Sequence, residues 1–225
     1  PNTDLGQHFL IDDQLLNVMV ELADVSSKDH VLEIGPGPGT LTQVLMETGA
    51  KVTAIELDDG PVLHLDNVFS EQQNSGVLTL LHGDALVEEW PQSITKIVAN
   101  IPYQISSPLI EKITKFNLLN ETSLDSVVLM VQQEFAQRLT MRHPSDVGSL
   151  GMTVALDWNV EEHHVVAPHS FSPQPAVHSQ VVSLHPHHTI WPVDKRLIRM
   201  MIHQAFAERR KKIRSTLKRA PRRIS

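Results

Sequence analysis

The run Val31-Leu32-Glu33-Ile34-Gly35-Pro36-Gly37-Pro38-Gly39-Thr40 constrains the fold more than any other stretch. Residues that pack as a buried strand empty into three glycines alternating with two prolines. A segment of helical periodicity follows, from Thr40 to about Thr48. Glycine lets the backbone turn tightly and approach a ligand, and proline stops both ladder and helix. A strand, loop and helix in this order belong to an α/β sheet, where ligands bind outside the carboxyl ends of the strands.

The flanking sequence repeats the alternation. Asp12 or Asp13 caps a helix running to about Ala23, with Leu15, Leu16, Met19 and Val20 near one face. Strands are predicted at His30–Ile34, Val52–Ile55, Val77–Leu81, Ile94–Ala99 and Ser126–Val131, and helices at Gly60–Gln73, Ile105–Lys115 and Gln132–Met141. This predicts an α/β fold with a doubly wound, Rossmann-like, mostly parallel sheet. After Pro144 the texture changes. Leu150–Leu156, Val160–Val166 and Ala176–Leu184 read as β segments that close one sheet edge in antiparallel fashion. His185–Pro192 reads as a linker, and Val193–Ala220 as one or two basic helices. The expected division is a ligand-binding domain over 1–188 and a small helical appendage over 189–225.

Charge separates the same two parts. Trp191–Ser225 holds twelve Lys/Arg against Asp194 and Glu208, a balance of +10, while the other 190 residues hold seven against 24, a balance of −17. Such asymmetry points to a polyanion at the basic end. Arg209, Arg210, Lys211, Lys212 and Arg214 are the expected phosphate contacts. The chain has no cysteine and no apolar run of membrane-spanning length, which points to a cytoplasmic protein without a membrane partner. Its 13 histidines, including His163-His164 and His185, His187 and His188, lack the His-Glu-x-x-His spacing of a helical zinc site. Adjacent histidines on a strand face opposite ways, so no metal is expected.

Successive strand ends carry the ligand chemistry. Glu56 follows Gly35 by 21 residues, where a carboxylate accepts hydrogens from ribose hydroxyls, and Asp84 ends the third strand, within reach of an adenine amino group. The loop is not G-x-G-x-x-G, and Glu33 just before it opposes a pyrophosphate while favouring a cation. No phosphate-binding G-x-x-x-x-G-K-[ST] sequence occurs. An S-adenosylmethionine site, with Gly35, Gly37, Glu56 and Asp84 in it, fits best. Asn100-Ile101-Pro102-Tyr103 ends the fourth apolar run. Asn offers a carbonyl acceptor and an amide donor, Pro102 stiffens the turn, and Tyr103 offers an aromatic face, together suiting a planar base with an exocyclic amino group. The same four residues equally suit an ordinary strand-to-helix turn.

Assembled, these elements resemble the ribosomal RNA adenine N6,N6-dimethyltransferase family over nearly the whole chain. Gly6-Gln7-His8-Phe9-Leu10 is similar to its G-Q-N-F-L signature, with His8 where Asn is common. Glu33–Gly37 with Thr40-Leu41-Thr42 is similar to its cofactor loop, and Asn100–Tyr103 with Ile105–Pro108 to its catalytic segment. Phe171–Ser179 resembles its F-x-P-x-P-x-V-x-S element, and Ala205-Phe206 with Arg209–Arg214 its F-x-x-R-R-K-x-[IL]-R helix. The resemblance implies a class I methyltransferase sheet with cofactor contacts at His8, Leu10, Gly35, Glu56, Asp84 and Asn100. It implies catalysis at Asn100, Ile101, Pro102 and Tyr103, with Phe171 as a second stacking plate or else a core aromatic. The implied substrate is small-subunit ribosomal RNA, bare or in a pre-assembled subunit, and the implied enzyme is a monomer whose RNA-binding appendage is cut short. Two other activities share these motifs: large-subunit rRNA methylation of the macrolide-resistance type, and non-catalytic nucleic-acid binding.

Overall fold

The structure is a computed structural model that describes residues 8–119, 123–187, 194–207 and 211–217. Its centre is a seven-stranded sheet of β2 (His30–Ile34), β3 (Lys51–Glu56), β4 (Leu78–His82), β5 (Lys96–Asn100), β6 (Ser126–Gln132), β7 (Trp158–Val166) and β9 (Ser179–Pro186). The strand order is β4-β3-β2-β5-β6-β9-β7. Contacts from β4 through β6 are parallel, and β9 runs antiparallel to both β6 and β7.

The central strands are apolar on both faces because helices cover both faces. Residues alternate between two cores: Leu32, Ile34, Ile97, Ala99, Val127 and Leu129 enter one, while Val31, Val98, Val128 and Met130 enter the other. The first core is covered by α5 (Ser106–Leu119) and α6 (Gln133–Thr140) through Leu109, Ile110, Ile113, Phe135 and Leu139. The second is covered by α1 (Asp13–Leu22), α2 (Thr40–Glu47) and α3 (Asp59–Val68). Asp12 caps α1, its carboxylate accepting from the Leu15 amide at 3.3 Å. Because β3 and β4 wind to one side of β2 while β5 and β6 lie on the other, the order reverses between β2 and β5. The carboxyl ends of those two strands, Ile34 and Asn100, therefore flank a crevice.

Several elements depart from expectation. The long helix over Gly60–Gln73 is two, α3 and α4 (Ser70–Asn74), broken at Phe69 with φ −110° and ψ 26°. Leu150–Leu156 is not a strand: Ser149–Val154 forms a helix, α7. A Cβ on Gly151 would stand 2.5 Å from the Arg138 carbonyl oxygen, so the glycine lets α7 press onto α6. A short apolar run is ambiguous by pattern alone, and here packing decides. The third β segment begins at Ser179 rather than Ala176, and its strand continues through His185 and Pro186, which had read as linker. Two short strands went unread. β1 (Phe9–Leu10) pairs antiparallel with β8 (Phe171–Ser172), strapping the amino-terminal segment over the crevice. The basic region contains α8 (Lys195–Phe206) and α9 (Ile213–Leu217). No helix among the described residues is long and apolar enough to cross a membrane.

Candidate active site

The glycine loop leaves β2 with all three glycines at positive φ: Gly35 at 67°, Gly37 at 56° and Gly39 at 87°. Two of them also need the missing side chain for space. A Cβ on Gly37 would lie 2.5 Å from Cε1 of Phe9, and one on Gly39 2.5 Å from Cε2 of Phe69. Gly35 faces the other loop, with Pro102 Cδ 3.6 Å from where its Cβ would be. The loops after β2 and β5 thus meet across the crevice.

Beside them lies a cavity of about 190 Å³, walled by Ile34, Gly35, Ile55, Glu56, Gly83, Asp84, Ala85, Pro102 and Ile105 among others. Three residues expected at a cofactor, Gly35, Glu56 and Asp84, share this wall. Leu10, Gly37, Asn100 and His8 do not line it, and the Leu10 side chain lies buried in the second core. Leu57, Asp58 and Gln104 line it too and were missed; the first two follow Glu56 directly, which was the available signal.

Glu56 is a loop organiser as well as a wall residue. Its Oε2 accepts from the Gly37 amide at 3.1 Å, and its Oε1 from the Leu57 and Asp58 amides at 2.9 and 3.0 Å. A carboxylate has about four acceptor positions, so these bonds leave Oε2 the freer oxygen. Asp84 accepts from the Leu86 amide at 2.8 Å, which fixes its carboxylate at the cavity edge. Glu33 is 1% exposed, and burial pushes its pKa up to about 8 despite the Thr42 hydroxyl bond, with Glu56 adding to the rise.

The segment after β5 is held from three directions. Asn100 donates its side-chain N–H to the His8 carbonyl at 3.0 Å, and its Oδ1 takes no hydrogen bond among the described residues. Ile101 is buried, and Pro102 leads into a short 3₁₀ turn over Tyr103–Ile105. Ser106 opens α5, its hydroxyl donating to the Tyr103 carbonyl at 2.9 Å. The Tyr103 hydroxyl and the Ser179 hydroxyl are 2.6 Å apart. Burial raises the Tyr103 pKa, the Ser179 bond offsets part of this, and the phenol stays neutral. The His8 ring stacks on Tyr103 with centroids 5.7 Å apart and planes 28° apart. His8 Nδ1 lies 2.8 Å from the Pro173 carbonyl oxygen, to which it donates. Sequence reasoning missed Ser179 as a partner, though it ends the late F-x-P-x-P-x-V-x-S element.

Phe171 is 2% exposed and sits in the second core with Leu10. Of the basic residues, Lys211, Lys212 and Arg214 are exposed, and Arg209 and Arg210 lie outside the described residues. Among the described residues, no group of three or more His, Asp or Glu is arranged to hold a metal ion.

A family model for ribosomal RNA adenine dimethylase matches residues 1–223. The chain belongs to the ribosomal RNA adenine dimethylase family. It is 37% identical over 215 residues to a probable ribosomal RNA small subunit methyltransferase A of Methanospirillum hungatei, covering 94% of this chain and 80% of that one. A dimethyladenosine transferase from Plasmodium falciparum superposes with a TM-score of 0.82 at 30% identity, over 96% of this chain and 76% of that one. The 23S rRNA methyltransferase ErmE superposes with a TM-score of 0.75 at 26% identity, over 96% and 86%. The rRNA adenine dimethylase sheet is thus the one described above.

Proposed function

We propose that this rRNA adenine dimethylase transfers two methyl groups from S-adenosylmethionine to N6 of adenosines in small-subunit ribosomal RNA. The observation that carries the reading is the state of Asn100: its N–H is spent on the His8 carbonyl, leaving Oδ1 as an acceptor beside the crevice.

The cavity suits the adenosyl part of the cofactor. Ile34, Ile55, Ala85, Pro102 and Ile105 offer apolar walls for a flat base, Glu56 Oε2 an acceptor for a ribose hydroxyl, and Asp84 an acceptor for an amino group. A second ribose contact at Glu56 requires a main-chain amide to release it, given the three it already holds. Gly37 and Leu10 contribute as the loop and strap that close this space, and His8 through its carbonyl. When bound, S-adenosylmethionine supplies a methyl group on a sulfonium.

Adenine N6 is a weak nucleophile because its lone pair is delocalised into the ring. Asn100 Oδ1 and the Ile101 carbonyl accept the two N6 hydrogens, which draws electron density onto nitrogen and orients it. Pro102 fixes the turn that carries both acceptors, and Tyr103 stacks on the base. Once methylated, the amine would be acidic and its proton would pass to water, so neither Asn100 nor Tyr103 has to act as a base. Positioning and preorganised acceptors supply the rate, with no strong base required. Reaching N6 demands an unpaired or flipped nucleotide. The exposed Lys211, Lys212 and Arg214, with Arg209 and Arg210, contact the RNA phosphates.

The test is labelled-methyl transfer to undermethylated small and large ribosomal subunits side by side, with the modified nucleoside mapped. Label in dimethyladenosine of the small subunit is the expected result. Label confined to the large subunit, or none in either, rejects this assignment.

A further inference from the structure

The cavity wall that carries Asp84 is held from behind by residues that do not line the cavity. We propose that Lys112 is a positioning residue for the adenine of the cofactor: it holds Trp90, and through Trp90 the turn over 83–85, where the Asp84 carboxylate meets the 6-amino group. The inference rests on the cofactor reading above and adds what fixes Asp84 in place.

The contacts run in sequence from the cavity outward. The segment after β4 closes on itself, the Leu86 amide donating to the Asp84 carboxylate and the Val87 and Glu88 amides to the Asp84 carbonyl, each at 2.8 Å. At its start the Gly83 amide donates to the Glu56 carbonyl at 2.8 Å, which ties it to β3. Its other end depends on Trp90, which is 6% exposed and whose Nε1 donates to the Ala85 carbonyl at 3.1 Å. Asp84 and Ala85 wall the cofactor cavity, whereas Trp90 and Lys112 wall a separate cleft of about 850 Å³ behind it.

Lys112, on α5, fastens Trp90 in turn. Its Nζ stands 4.8 Å from the centroid of the Trp90 ring and donates to the Glu88 carbonyl at 2.5 Å, so one ammonium grips both the indole and the main chain of the segment. Phe116, further along α5, packs on Trp90 with ring centroids 5.4 Å apart. Phe116 supplies apolar packing, and Lys112 supplies the directional part. A cation is drawn to an indole face, and a charged donor binds a carbonyl more strongly than a neutral one does. Burial lowers the Lys112 pKa, and the Asp84 and Glu88 carboxylates oppose that fall. The ammonium is thus within electrostatic reach of the carboxylate it positions.

The test uses Lys112→Met, which keeps the stem and loses charge and donor, and Trp90→Phe, which keeps a ring and loses Nε1. Lys115→Met, on the same cleft, is the control for a general loss of charge. Calorimetry measures the affinity of each protein for S-adenosylhomocysteine and for its analogue with hydrogen in place of the 6-amino group. The wild-type protein should bind the amino ligand about tenfold more tightly, the scale of one hydrogen bond to a charged group. In Lys112→Met and Trp90→Phe the ratio should fall to about twofold, mostly through weaker binding of the amino ligand, and in Lys115→Met it should stay at the wild-type value. Equal weakening of both ligands in Lys112→Met, an unchanged ratio there, or the same fall in Lys115→Met overturns the proposal while the cofactor reading stands. A wild-type protein that binds neither ligand, or both alike, removes adenine from Asp84, and the role of Lys112 falls with that reading.

Discussion

Asn100 closes a hydrogen bond of 3.0 Å to the His8 carbonyl, so the end of β5 and the amino-terminal strap are tied directly above the crevice. The two ends of that amide have separable duties. Asn100→Ala removes both and should lower methyl transfer by about 10²–10³-fold, the scale for deleting one preorganised polar group. Cofactor affinity should change little, because the cavity walls are untouched. Asn100→Asp keeps an acceptor but cannot donate to His8, and should lie between wild type and the Ala variant. Single-turnover transfer with parallel calorimetry measures both, and near-full turnover in Asn100→Ala would remove the role given to Oδ1.

Glu33 sets a pH dependence. Its carboxyl has a reference pKa of 4.5 and is pushed up to about 8 in the fold, first by burial, with Glu56 adding to the rise against the Thr42 hydroxyl bond. The folded state therefore binds the extra proton between those values. Stability linked to this group is full below about pH 4.5 and is lost as pH rises through about 8. Glu33→Gln keeps an acceptor for Thr42 and carries no charge. It should leave the melting temperature near that of wild type at pH 5 and raise it by about 5 °C at pH 8.5. Calorimetric melts across that range check it, and parallel pH curves for the two proteins would contradict it.

What the sequence made legible follows from the range of the interactions involved. β2, β3, β5 and β6 carry their own signal because each is an apolar run buried on both faces, while β4, at the sheet edge, is apolar but only partly buried; Gly35, Glu56 and Asp84 stand at or just past the ends of such runs. The Leu150–Leu156 run carries the same apolar signal, yet its conformation is decided by Gly151 against α6, a contact that no local pattern contains. The β1–β8 ladder joins residues far apart in sequence, two on each side, too short for any period to register. The role of His8 was partly hidden for the same reason. Its position was readable from the amino-terminal motif, but its contacts with Tyr103, Asn100 and Pro173 exist only once the strap has folded back.

Asp157 anchors the basic end. Its side chain is 2% exposed and accepts from Lys195 Nζ at 3.0 Å and from the Arg199 guanidinium, two residues one turn apart on α8. A buried carboxylate facing two cations is held in place by them, and removing its charge leaves them without compensation. Both cations are about one-quarter exposed, so water recovers part of the loss. Asp157→Asn should cost about 1–3 kcal/mol and should speed amide exchange in α8 while leaving the strands β2 to β6 unchanged. It should also weaken binding to small-subunit RNA, because α9, which carries Arg214 and whose Thr216 carbonyl accepts from Gln204 on α8, would lose its support. Unaltered exchange in α8 would mean that apolar packing through Ile202 holds the helix alone.

Gly37 meets Phe9 in a way that separates two costs. Its φ of 56° is strained for any residue with a Cβ, and that Cβ would also lie 2.5 Å from the Phe9 ring. Gly37→Ala should therefore destabilise by about 1–2 kcal/mol through the backbone alone, with a further loss from pushing the strap away. Phe9→Ala removes the obstacle and, by itself, loses packing. The double variant should be more stable than the sum of the two single losses predicts, because only one of them contains the clash. Cofactor affinity should follow a different order. It should fall in Gly37→Ala and stay low in the double variant, since the amide of residue 37 that donates to Glu56 is displaced by the backbone strain and not by the ring. Denaturant melts and calorimetric titration of all four proteins give both orders, and simple additivity in stability would show that the strap yields without cost.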